Sequence, residues 1–115
     1  MTSSGEQLAD EFRDSIVLWD SLVETDAKSA NALFDRIHAI AKRLRTTPGG
    51  QLAMERLTGD DSRAVRLLAA TECLAWDSEI AVPVLEEIED GPGLLAVDAK
   101  YTLKSFRAGT LNLDW

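Results

Sequence analysis

The chain has 115 residues with 20 acidic against 12 basic groups, a formal net charge of −8. That length predicts one domain, residues 1–115, able to bury a core without a disulfide or metal staple. The charge argues against a nucleic-acid backbone or an anionic membrane as partner, because both repel such a surface. No apolar run approaches the ~18 residues of a membrane span, and no charged-then-apolar leader opens the sequence. A single cysteine, Cys73, rules out an internal disulfide and fits a cytoplasmic setting.

Proline and glycine cut the chain into helix-length pieces, and no run alternates with the period of a strand. The reading is therefore all-α, with five to six helices. The first is expected over residues 6–23, where Leu8, Phe12, Ile16, Trp19 and Val23 recur at spacings of three and four. The second is expected over 27–45, capped by Asp26, with Ala30, Leu33, Ile37, Ile40 and Leu44 as its stripe and Lys42, Arg43 and Arg45 in its last turn. Thr46-Thr47-Pro48-Gly49-Gly50 reads as its stop. A short third helix follows over 51–57, anchored by Leu52 and Leu57.

Asp61 or Ser62 caps a fourth helix running to Leu74. It is apolar nearly all round, so it is expected to be covered on more than one side. The fifth spans 78–89, with Pro83 near its first turn and Ala81, Val84, Leu85 and Ile88 inward. Gly91-Pro92-Gly93 ends it. The sixth spans 94–108, with Leu95, Ala99, Leu103 and Phe106 inward. Residues 110–115 form a tail.

A shift of 29 residues sets Val65 on Leu94, Leu68 on Val97, Ala70 on Ala99 and Leu74 on Leu103. Branched residues fall on branched and small on small, the mark of a repeated helical unit. The wording from Asp61 to Ala70, an aspartate followed by Val65-Arg66 and small residues, resembles the opening helix of a HEAT repeat, and residues 77–88 resemble its second helix. More of the chain is similar to a family of small, uncharacterised bacterial HEAT-like proteins. The matching positions are Val65-Arg66-Leu67, Ala69-Ala70, Val84-Leu85-Glu86, Gly91-Pro92-Gly93-Leu94, Ala99, Thr102-Leu103-Lys104 and Phe106-Arg107-Ala108-Gly109-Thr110-Leu111. Phe106 stands where that family has tryptophan. The resemblance implies a short right-handed HEAT-like superhelix, with N-terminal helices over 1–58 and repeat-like helices over 59–109. It carries no catalytic residues. Some members of the family are encoded near polymorphic toxins, which implies an immunity role.

Chemistry is sparse. His38 is the only histidine and Cys73 the only cysteine, and they lie in different helices. Cys73 reads as a small buried hydrophobe and His38 as a residue at the core edge. No phosphate-binding glycine loop and no Gly-x-Ser-x-Gly occurs. An enzyme is the least favoured class, and no metal or cofactor is expected.

The charge is concentrated. Residues 60–98 hold ten acids and only Arg63 and Arg66, a net of −8, while 1–59 net −2 and 99–115 net +2. From Glu72 to Asp90 there are seven acids and no base. Such a stretch can be an ordinary solvated face, but a one-signed surface also repels itself and steers association with a basic partner. The expected partner-binding residues are Glu72, Trp76, Asp77, Glu79, Glu86, Glu87, Glu89 and Asp90, and the expected partner is a basic protein, a candidate toxin domain. The alternative is a HEAT-like adaptor or oligomeric scaffold in which the acids serve only solubility.

Overall fold

The computed structural model describes residues 4–115. Among them the chain is all-α, with six helices, one 3-10 turn and no strand. No described helix is long and apolar enough to cross a membrane. The chain divides into two compact units, Met1–Met54 and Glu55–Trp115.

In the first unit, α1 (Ser4–Leu22) packs against α2 (Ala27–Leu44). The three-four spacing read from the sequence is the buried face: Phe12, Ile16 and Trp19 on α1, and Ala30, Ile37, Ile40 and Leu44 on α2. Trp19 and Phe34 meet with ring centroids 5.8 Å apart. Val23, expected on the stripe, lies past the last turn of α1 and is exposed. Asp26 caps α2 as expected, accepting the Ser29 backbone N–H on Oδ1 and the Ser29 hydroxyl on Oδ2. Those two bonds hold its carboxyl below the ordinary aspartate value.

Helix α3 (Pro48–Leu57) begins three residues earlier than the glycines suggested. Thr47-Pro48-Gly49-Gly50 is a start rather than a stop. Thr47 Oγ1 accepts the Gly50 N–H at 3.0 Å, and Pro48 occupies the first helical position, where its missing N–H is not needed. Gly50 is required by contact, since a Cβ there would overlap the backbone carbonyl of Leu44. The earlier start also rotates the inward face. Met54 is fully buried and Leu57 half-buried, while Leu52, expected as an anchor, is exposed.

In the second unit, α4 (Arg63–Cys73), α5 (Ala81–Glu89) and α6 (Gly93–Arg107) pack on one another. Ser62 caps α4 by accepting the Val65 N–H. As its all-round apolar character predicted, α4 is buried along most of its length. A 3-10 turn, Leu74–Trp76, extends it and ends at Asp77, which holds a left-handed backbone (φ 53°). The Ser78 N–H reaches Cys73 O and the Asp77 N–H reaches Leu74 O, the paired bonds of a Schellman stop. This stop is why α5 starts at Ala81 rather than Ser78. Pro83 then falls in the first turn, where backbone N–H groups have no helical acceptor. The same stop recurs after α6: the Thr110 N–H bonds Ser105 O, the Gly109 N–H bonds Phe106 O, and Gly109 takes the left-handed position.

The 29-residue shift is matched in burial at Ala70 with Ala99 and Leu74 with Leu103. It parts at the start of the helices, where Val65 is fully buried and its counterpart Leu94 is 65 % exposed. Beyond α6, residues 110–115 have no regular structure. Leu111 and Leu113 are half-buried and Trp115 is exposed.

Candidate protein-binding face

The residues singled out from the sequence separate into three groups. Glu72 is buried at 7 % exposure, because it lies on the last turn of a helix covered on several sides. It therefore leaves the surface set. Trp76, Asp77 and Glu79 sit in the turn between α4 and α5. Glu86, Glu87, Glu89 and Asp90 close α5.

The turn is tied down by a residue that sequence reading missed. Glu55 Oε2 accepts both the Trp76 indole N–H at 3.2 Å and the Ser78 hydroxyl at 2.7 Å. The separation of 21 residues leaves no local signal for this contact. Trp76 is half-buried and spends its one donor inward, so it packs the turn more than it faces a partner. Asp77 and Glu79, which follow it, are exposed.

On α5, Ala81, Leu85 and Ile88 are buried, so the helical period turns Pro83, Glu86, Glu87 and Asp90 outward. All four are exposed and Glu89 is half-buried on the flank. Glu86 accepts from Arg107 Nη2 at 3.1 Å, with both side chains more than half exposed. Lys100, Lys104 and Arg107 share one face of α6 by helical spacing, and the last of the three faces α5.

Four carboxylates at the C-terminal end of a helix oppose its dipole, and α5 has no base of its own in the last turn. Arg63 supplies the missing cation from α4. Its Nη1–H donates to Pro92 O at 2.6 Å and its Nη2–H to Ile88 O at 2.7 Å, closing the end of α5 and holding the turn into α6. Gly91 lies against the same guanidinium, where a Cβ would collide with Nη2. The acidic end is thus fixed in place by a half-buried clamp while Glu86, Glu87 and Asp90 stay exposed.

Cys73 is fully buried and its thiol is pushed up to about 12, first by burial and then by the charges of Glu55 and Glu72. A thiol held protonated in this way is a core atom rather than a nucleophile. Among the described residues no group of three or more His, Cys, Asp or Glu side chains is disposed to hold a metal ion. A pocket of about 380 Å³ opens in the first unit, lined by Gly5, Leu8, Lys42, Arg43, Leu44, Thr46 and Thr47. It contains none of the acids and no histidine or cysteine.

The chain matches no protein-family model, no curated protein and no solved structure.

Proposed function

We propose that the protein is a non-enzymatic binding module that captures a basic protein on the exposed acidic face of α5 and its flanking turns. The observation that carries this reading is the composition of that face. Asp77, Glu79, Glu86, Glu87 and Asp90 are exposed, and Arg107 is the one cation with a bond to any of them among the described contacts. Stability gains little from such an arrangement, since the acids repel one another and Glu86, Glu87 and Asp90 crowd the negative end of a helix. A face that is costly to keep and clamped from behind suits charge-steered capture.

In this reading α4, α5 and α6 form a short right-handed HEAT-like stack, and the protein is an immunity-type inhibitor that occludes the substrate site of a basic cytoplasmic toxin. The sequence resemblance to HEAT-like proteins supplies the toxin, and the acidic face supplies the mode of binding. No metal or cofactor takes part.

The test is association kinetics with a partner recovered from the native host and assayed for toxicity. Reversing Glu86 and Glu87 to lysine slows association, and the loss grows as salt is lowered. An unchanged on-rate rejects the electrostatic mechanism. A captured partner without toxicity rejects the immunity role and favours an adaptor.

A further inference from the structure

Three large apolar side chains form one row on the outer side of α6: Leu94, Val97 and Tyr101 are 65, 45 and 59 % exposed. Their spacing of three and four turns them away from Ala96, Ala99 and Leu103, the buried row of the same helix. Scattered exposed apolar residues need no explanation, but a row with this spacing is how one helix seats on another. The 29-residue shift sharpens the point. Val65 and Leu68, the counterparts of Leu94 and Val97 on α4, are fully buried and half-buried. The last helix of the unit therefore carries an interior face where a terminal helix of a stack ordinarily carries a polar one.

The charges beside the row choose its occupant. Lys100 and Lys104 run along one edge, on the side of Arg107, which already bonds Glu86 on α5, and the exposed Asp98 lies on the other edge. In an antiparallel two-fold pairing of α6 with α6 each edge meets its own counterpart, so the lysine edges would oppose each other. The chain itself contains a better complement. The outer side of α5 offers two exposed apolar residues, Ile80 and Pro83, framed by the exposed acids Glu79, Glu87 and Asp90.

We propose that α6 of one copy docks on the outer face of α5 of a second copy, with Leu94, Val97 and Tyr101 against Ile80 and Pro83 and with Lys100 and Lys104 among Glu79, Glu87 and Asp90. The two surfaces differ, so the contact is heterologous and builds head-to-tail assemblies rather than a two-fold dimer. It covers the same acids that a foreign basic protein would use, so self-association and partner capture compete.

Sedimentation velocity of the full chain, from micromolar to millimolar concentration, tests this. The weight-average mass rises with concentration. Val97→Glu with Tyr101→Glu, Lys100→Glu with Lys104→Glu, and Glu79→Lys with Glu87→Lys each weaken association by about ten-fold or more. All six positions are exposed, and circular dichroism confirms that the helices are intact. An equimolar mixture of the second and third variants regains the wild-type mass, because each supplies the charge the other has lost. A wild-type chain that stays monomeric throughout overturns the proposal, as does association that survives the variants or a mixture that stays monomeric. A monomer that still captures a basic protein would leave the functional reading standing and end this one.

Discussion

Replacing Arg63 by methionine keeps most of the aliphatic stem and removes the guanidinium that closes α5. Two hydrogen bonds are lost, to Pro92 O at 2.6 Å and Ile88 O at 2.7 Å. A hydrogen bond from a charged donor contributes about 1.5–3 kcal/mol, and the lower end applies here because the Pro92 contact is exposed. The cation also offsets the negative end of α5, worth about 0.3–1 kcal/mol. Water partly replaces the lost donor at the exposed carbonyl, so the net loss is about 2–3 kcal/mol. In a chain of this length that lowers Tm by roughly 8–12 °C. Urea unfolding followed by far-ultraviolet circular dichroism measures it. A loss below about 0.5 kcal/mol, the level of an unremarkable surface change, would refute the clamp. Gly91→Ala adds an internal control, because its Cβ meets the same guanidinium. The substitution is destabilising in the wild type and clearly less so beside Arg63→Met, a coupling of about 1 kcal/mol or more in a double-mutant cycle.

Gly50→Ala forces a Cβ into the Leu44 carbonyl and is expected to destabilise by about 3 kcal/mol, read as an earlier urea midpoint; an unchanged midpoint would mean that α3 starts elsewhere. Asp77→Gly relieves a left-handed backbone at a non-glycine residue and raises stability by about 0.5–1 kcal/mol, whereas Gly109→Ala, at the equivalent stop after α6, lowers it. Cys73 resists alkylation in the native protein at pH 8 and reacts at once in denaturant; rapid native labelling would contradict its burial and raised pKa. The Asp26 carboxyl is lowered in the folded chain, so its contribution is full above the ordinary value of 3.8 and fades as pH falls through the lower folded value. Asp26→Ala therefore lowers Tm at neutral pH and flattens its decline in acid, and equal acid slopes for both proteins would count against the cap.

Helical period was legible because burial repeats it. Phe12, Ile16 and Trp19, or Ala81, Leu85 and Ile88, announce their faces by spacing alone. The misreadings came where one residue type serves opposite ends of a helix. Gly49-Gly50 looked like a stop, yet Thr47 caps and Pro48 opens a helix there. Ser78 looked like the start of α5, yet it lies in the turn that Asp77 closes in a conformation usually left to glycine. Of the candidate face, the exposed acids followed from charge density. The burial of Glu72 did not, because a carboxylate on the last turn of an all-round buried helix is set by tertiary neighbours. Neither Glu55, which ties Trp76 and Ser78, nor the reach of Arg63 across 25 and 29 residues leaves a trace in local sequence.

In the proposed function the outward acids of α5 steer a basic protein onto this chain. The most direct measurement is the salt dependence of the association rate with the native partner, for wild type and for Glu87→Lys with Asp90→Lys. The expected rate falls steeply with added salt in the wild type and is slower and nearly salt-independent in the variant. Equal rates with equal salt slopes would contradict it.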